Sequence, residues 1–281
     1  MDRNLQLRIL TAISLGAAFI AAIYYSAYSA IALFGLILIL GLFEFFNLAK
    51  AIDSAVKPNK GFALVLSLVL FGSLALMPGF LKLNMLFPRD YFLVLSGLFG
   101  LVLLVFVFEL FRNQVKPLEN CAFTLLGPTY IAVPLGLIIS SAFDAEGAYR
   151  PWHILFFFFF MWASDTGAYF AGRFFGKSKL FERISPKKTI EGFIGGLLAS
   201  GLLGWAAYTQ LGIFGLAQWI GIGVLLSLTG TAGDLFESLL KRQAGIKDSG
   251  NILPGHGGIL DRFDSALLSA PVYWIIFYLG A

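Results

Sequence analysis

Asp261 and Asp264 stand three residues apart where the last apolar run of the chain begins, in the stretch LPGHGGILDRFDSALLSA at residues 253–270. On a helix that spacing makes them neighbours on one face. Two carboxylates so placed repel each other unless a cation or a proton lies between them. Capping explains one aspartate at a helix start; it does not explain the pair together with Asp234 upstream. Asp234, Glu237 and Lys241 follow i, i+3, i+7 spacing and share a helical face of their own. Lys241 and Arg242 are followed by Lys247 and Asp248, then by GNILPGHGG. Its glycines permit tight turns and close approach of backbone to a ligand, with His256 among them as a substrate-facing group. Arg262 sits between the two aspartates, pointing away from their shared face or toward phosphate.

A second charged group is SPKKTIEGFIGG. Ser185 or Pro186 is expected to start a helix, with Lys187, Lys188 and Thr189 in its first turn. Lysines there oppose the helix macrodipole unless an anion is present, and the free N–H groups suit phosphate. Ordinary membrane topology also accounts for basic residues at this point. Asp165 lies in the middle of an apolar run, flanked by Ser164, Thr166 and Gly167. Small and hydroxylated neighbours allow helices to approach closely, so Asp165 reads as part of a polar pocket or as a helix-packing anchor. Glu44 and Glu109 lie near the ends of apolar runs, where snorkelling or a structural hydrogen bond accounts for each.

Carboxylate oxygens without thiols, and with few imidazoles, favour Mg²⁺ over zinc. Surrounding lysines and arginines favour phosphate. The combination suits metal-assisted phosphoryl or nucleotidyl transfer. No GxxxxGK[ST] loop occurs, so a P-loop ATPase is not indicated.

The elements that must position these groups are membrane spans. The 281 residues are 58% hydrophobic and only 13% charged, with 30 phenylalanines, and the mean hydropathy is +0.83. A soluble domain carries roughly twice that charged fraction. Strand-period alternation is absent, which argues against a β-barrel. The expected class is an all-α, polytopic integral membrane protein. About nine transmembrane helices are expected near 7–26, 29–49, 61–83, 91–111, 119–142, 152–173, 190–209, 214–236 and 265–280. The first run lacks a cleavage site and reads as a span, not a secretion signal. With the N-terminus in the cytoplasm, 17 of the 20 lysines and arginines fall on the cytoplasmic side, as the positive-inside rule requires. The loops 174–189 and 237–264 then face the cytoplasm together. A single membrane domain is expected over 1–281, with 1–150 as transmembrane scaffold and 151–281 as the catalytic region. The single cysteine, Cys121, excludes an intrachain disulfide and reads as a small buried group. The run of five phenylalanines at 156–160 reads as lipid-facing or packed apolar surface.

The stretch SLLKRQAGIKDSGNILPGHGGILDRFD, Ser238 to Asp264, resembles the signature of the phosphatidate cytidylyltransferases, or CDP-diacylglycerol synthases. The upstream SDTGAYFAGRFFGKSK and SPKKTIEGFIGG are similar to the middle region of that family, so the resemblance covers roughly the last 120 residues. It implies transfer of CMP from CTP to phosphatidate, giving CDP-diacylglycerol and pyrophosphate, with Mg²⁺ required. It also implies a homodimer in the bacterial inner membrane, with its active site facing the cytoplasm and no nucleic-acid partner. On that reading Asp234, Asp261 and Asp264 hold Mg²⁺ against the CTP phosphates. Lys187, Lys188, Arg242 and Lys247 neutralise the triphosphate and the lipid headgroup. Asp165 completes the cavity or holds a second cation, His256 orients a phosphate, and Thr189, Lys241, Asp248 and Arg262 join the substrate-binding set. A secondary transporter, the rival of another class, needs inverted repeats, which the sequence lacks.

Overall fold

The computed structural model describes residues 3–82, 88–144, 146–252 and 257–280. Among them the chain is mostly helical. The helices are α1 (Arg3–Tyr25), α2 (Ala27–Ile52), α3 (Lys60–Lys82), α4 (Pro88–Leu110), α5 (Pro117–Ser140), α6 (Pro151–Phe175), α7 (Ile190–Leu211), α8 (Leu216–Gln243) and α9 (Leu260–Gly280). Each apolar run expected as a span is covered by one of these helices. Five of them, α2, α5, α6, α7 and α8, are long and apolar enough to cross a membrane, and α1, α3 and α4 contribute shorter apolar stretches. One residue separates α1 from α2. Ser26 caps α2 by accepting from the Ser29 N–H at 3.1 Å, and its own N–H donates to the Ser29 hydroxyl at 3.1 Å, so two long helices reverse direction without a loop. Within α5 the segment Pro128–Ala132 widens into a π-turn. Pro134, just beyond it, has no N–H to offer the Tyr130 carbonyl, and the wider turn absorbs the mismatch.

Two departures from the sequence reading bear on function. Ser185 and Pro186 do not start a helix. Residues Ser185–Thr189 form strand β2, which pairs antiparallel with β1 (Lys179–Phe181), Lys179 lying opposite Thr189. Helix α7 starts only at Ile190, because Thr189 is extended and its hydroxyl accepts from the Gly192 N–H at 3.1 Å as the N-cap. Lys187 and Lys188 therefore project from a hairpin and not from a helix dipole. Helix α8 also runs past its expected end at 236 to Gln243, carrying Glu237 and Lys241 with it.

One continuous buried cluster runs from Ile23 to Phe277 and draws on both halves of the chain. The phenylalanine run lies inside it: Phe156, Phe157, Phe158 and Phe160 are buried, with Phe157 5.0 Å from Tyr273 and Phe160 stacked on Trp219. Helices α6 and α7 touch backbone to backbone. A Cβ on Gly167 would meet the Gly195 carbonyl oxygen at 2.6 Å, and one on Gly195 would meet the Gly167 carbonyl at 2.9 Å. Small residues at such a crossing let membrane helices pack closely. Here they bring the polar stretch around Asp165 against the start of α7 and the hairpin that precedes it.

Candidate active site

The hairpin is fixed before it meets anything else. Glu191, in the first turn of α7, accepts from the N–H groups of Lys177 and Ser178 at 3.0 and 3.1 Å, and the Lys179 ammonium donates to the Pro186 carbonyl at 2.7 Å. These contacts aim β2 at the far end of α8, where Lys188 forms an ion pair with Asp234. Both side chains are slightly under one third exposed, at 28% and 29%. They line a cavity of about 400 Å³ walled by the C-terminal part of α6, by β2, by the start of α7, and by α8 and α9. Its charged lining is Asp165 and Arg173 from α6, Lys187 and Lys188 from β2, and Asp234 from α8. Arg173 is steadied by donating to the Tyr169 hydroxyl at 3.0 Å. Three cations and two carboxylates round one open cavity suit a polyanion and a divalent cation together.

Asp264 joins this group because α8 and α9 are in backbone contact. A Cβ on Gly233 would run into the Asp264 carbonyl oxygen and lie 3.2 Å from the Ser265 Cα. The residue after Gly233 is Asp234, so the two aspartates are set side by side, and Asp264 feels the charges of Asp234 and Glu237. One oxygen of Asp264 accepts from the Ser265 N–H at 2.6 Å.

Asp261 faces elsewhere. One of its oxygens accepts from the Lys241 ammonium at 2.6 Å. The other accepts from the Ser249 N–H at 2.9 Å, the Ser249 hydroxyl at 3.0 Å and the Gly258 N–H at 2.9 Å. Lys241 also donates to Glu237 at 2.8 Å and is only 8% exposed. The charge that answers Asp261 is thus the ammonium of Lys241. The expected clamp of Asp234, Asp261 and Asp264 does not converge: among the described residues no three His, Cys, Asp or Glu side chains have the arrangement to hold a metal. Glu237 keeps one buried oxygen, Oε1, without a hydrogen-bond partner.

Beneath the loop that Asp261 gathers lies Glu44 of α2, 1% exposed. Its carboxylate accepts from the N–H groups of Ile259 and Leu260 at 3.0 and 2.9 Å, and shares with Asp261 the single hydroxyl hydrogen of Ser249, 3.2 Å away. It caps the N-terminus of α9, where a carboxylate is favoured. A Cβ on Gly258 would lie 2.6 Å from Glu44 Oε2, so that position has room for glycine alone. Glu109 has a comparable task away from the cavity, accepting from Arg112 at 2.7 Å and from Asn120 at 2.6 Å.

The structure therefore brings together Asp165, Lys187, Lys188, Thr189 and Asp234 round one cavity, with Asp264 adjoining. Asp261 and Lys241 form a clamp behind it. Arg242 is exposed and reaches the Ile184 and Ile246 carbonyls at 3.4 Å, tying the hairpin tip to the end of α8. Lys247, Asp248 and Arg262 are exposed and outside the cavity lining. His256 lies outside the described residues. The sequence reading did not single out Arg173, Tyr169 or Glu191. The signal for Arg173 was available: it lies eight residues after Asp165, a little over two helical turns.

Relatives point the same way. The sequence profile of the cytidylyltransferase family matches residues 6–279. A phosphatidate cytidylyltransferase of Staphylococcus aureus (strain COL) is 42% identical over 184 residues, which is 65% of this chain and 68% of that protein. One from Staphylococcus saprophyticus is 39% identical over 186 residues, 66% of this chain and 69% of its own length. One from Staphylococcus haemolyticus is 45% identical over 159 residues, 56% and 59% of the two chains. A cavity lined by three cations and two carboxylates, among helices of which five are of membrane length, fits that kinship, and the chain belongs to the cytidylyltransferase family.

Proposed function

We propose that the chain catalyses attack by the phosphate of phosphatidate on the α-phosphorus of CTP, giving CDP-diacylglycerol and pyrophosphate. The observation that carries this reading is the Lys188–Asp234 ion pair in the wall of a cavity that also holds Asp165, Arg173 and Lys187. The names of the relatives supply the acceptor and the nucleotide.

In this reaction a phosphate-monoester oxygen of the lipid forms the new P–O bond, and the bond between the α-phosphorus and the bridging oxygen to the β-phosphate breaks. Pyrophosphate leaves with that electron pair. The lipid dianion is already nucleophilic near neutral pH, so no protein nucleophile takes part. Lys187, Lys188 and Arg173 bind the phosphates and offset charge as it moves toward the leaving pyrophosphate. Lys188 exchanges its partner Asp234 for a phosphate oxygen, which frees the Asp234 carboxylate.

The donor set suits Mg²⁺, an ion usually held by one or two carboxylates together with substrate phosphates. Asp234 and the adjoining Asp264 are the residues that would hold it, with Asp165 across the cavity for a second cation. When bound, the ion would neutralise phosphate charge and orient the triphosphate. Asp261 and Lys241, whose polar atoms are engaged with each other and with the loop, act as positioning residues. Thr189 positions Lys188 by ending the strand. Arg242, Lys247, Asp248 and Arg262, exposed on the same stretch, are assigned to the outer part of the substrate path, and His256 keeps the task of orienting a phosphate.

The bilayer supplies phosphatidate and the cytoplasm supplies CTP. A homodimer in the bacterial inner membrane, with this cavity toward the cytoplasm, belongs to the same proposal. The test is acceptor choice. Purified protein with CTP and Mg²⁺ should release pyrophosphate with phosphatidate, and not with diacylglycerol, a polyprenol or a polyprenyl phosphate. Preference for any of those three would overturn the assignment.

A further inference from the structure

A second cavity, also about 400 Å³, lies where α2 ends and α3 begins, lined by Phe46, Lys50, Lys57, Asn59, Lys60 and Arg112 among others. None of its residues lines the first cavity. It is a built feature. The connection between α2 and α3 is pinned from α5: the Lys57 N–H donates to Asn120 Oδ1 at 2.6 Å, and the Asn59 N–H to the Thr124 hydroxyl at 2.9 Å. Both acceptor residues are fully buried. The Asn59 side chain caps α3 by accepting from the Phe62 N–H at 3.1 Å. Arg112 is aimed by one guanidinium bond to the Lys57 carbonyl at 2.8 Å and another to Glu109 at 2.7 Å. The buried ring of Phe46 adds an apolar patch, with the Lys60 ammonium 5.9 Å from its centroid.

The charge here is uncompensated. The two nearby carboxylates are already engaged, Glu109 by Arg112 and Asn120, and Asp53 by Lys116. Among the described residues no carboxylate is ion-paired with Lys50, Lys57 or Lys60. Three exposed ammonium groups thus share one cavity with nothing of opposite sign against them. Its place in the bundle says what would answer them. Lys50 lies in the last turn of α2, a helix long enough to cross a membrane. Glu44, six residues earlier, caps α9, so this cavity opens at the same end of the bundle as the candidate active site. At the end of a membrane-length helix, beside an aromatic ring, the headgroup of an anionic lipid has the charge and the apolar neighbour to answer these ammonium groups. Basic pockets between membrane helices take such headgroups.

We propose that this cavity is a separate binding site for the headgroup phosphate of an anionic phospholipid. It does not depend on which reaction the first cavity performs. The test is native mass spectrometry of the full chain in detergent, titrated with phosphatidylglycerol. The wild type should retain a phosphatidylglycerol adduct that neither phosphatidylcholine nor soluble glycerol 3-phosphate displaces at equal concentration. The Lys57→Ala/Lys60→Ala double variant should bind about 25-fold more weakly, since each lysine near such a surface contributes about fivefold. Lys57→Arg/Lys60→Arg should bind as the wild type does. An unchanged melting temperature shows that the double variant is folded; if it is not, Lys50→Gln is read instead, with a loss of about fivefold. Wild-type affinity in the alanine variants, or equal binding of phosphatidylcholine, would overturn the proposal. Displacement by glycerol 3-phosphate would assign the site to soluble phosphates and overturn the lipid.

Discussion

The ammonium of Lys188, on strand β2, is ion-paired with the carboxylate of Asp234, on helix α8, and both side chains stand in the wall of one cavity. A pair that is almost one third exposed on each side contributes little to stability, about 0–1 kcal/mol. Its removal should therefore register in turnover and hardly at all in melting. Lys188→Ala and Asp234→Asn are each expected to lower kcat/KM by about 10²–10⁴ while shifting the melting temperature by a few degrees at most. Steady-state pyrophosphate release and thermal unfolding on the same preparations check this.

Asp261 is where the geometry and the sequence reading part, and the two can be separated in solution. If Asp261 clamps the loop through Lys241, Ser249 and Gly258, Asp261→Asn should lower thermal stability but leave the Mg²⁺ concentration for half-maximal activity where it was. Asp264→Asn should raise that concentration. Lys241→Met leaves Glu237 and Asp261 buried without their cation, a loss of about 3–5 kcal/mol. A Mg²⁺ titration of the two aspartate variants decides which carboxylate meets the ion.

Glu44 makes a third prediction. It accepts from two backbone N–H groups of the segment 249–260, and shares the Ser249 hydroxyl with Asp261, while being 1% exposed. Glu44→Gln keeps the volume but loses the charge and turns donors toward donors, so a cost of about 1–3 kcal/mol is expected. The loop above it should become open to proteolysis. Limited digestion, with the cleavage site read by mass spectrometry, should place new cuts in residues 245–259.

The fourth concerns Gly233. Any side chain there meets the Asp264 backbone, so Gly233→Val should force α8 from α9 and move Asp234 away from Asp264. A displacement near 1 Å in such a site costs roughly 10² in rate. The loss should appear in kcat, measured by pyrophosphate release at saturating CTP.

Much of this arrangement could be read from the sequence because of what membranes demand. Apolar runs of helix length specify the helices, and the charged stretches between them specify which ends carry chemistry. The close spacing of Glu237 with Lys241 is local and survives in the fold as an ion pair, whereas Asp261 and Asp264, three residues apart, turn to different partners. What could not be read is which carboxylate meets which cation, because that depends on contacts between residues far apart in sequence. Lys241 reaches Asp261 across 20 residues, and Glu44 reaches Leu260 across 216. The hairpin was missed for a related reason. A lysine-rich tripeptide after Ser-Pro has the composition of a helix start, and only its pairing with Lys179–Phe181 makes it a strand. The five phenylalanines were legible as apolar surface, lipid-facing or packed, and that four of them are packed inside depended on distant partners such as Tyr273 and Trp219.

The central claim is that this cavity joins the α-phosphate of CTP to the phosphate of phosphatidate. The most direct measurement supplies CTP labelled at the α-phosphate or at the γ-phosphate to purified protein with phosphatidate and Mg²⁺, and follows label into the lipid phase. The account predicts that the α-label enters the lipid, that the γ-label appears only in pyrophosphate, and that Asp234→Asn reduces the lipid-borne label by at least about 10². γ-label in the lipid, or lipid labelling that Asp234→Asn leaves intact, would contradict it.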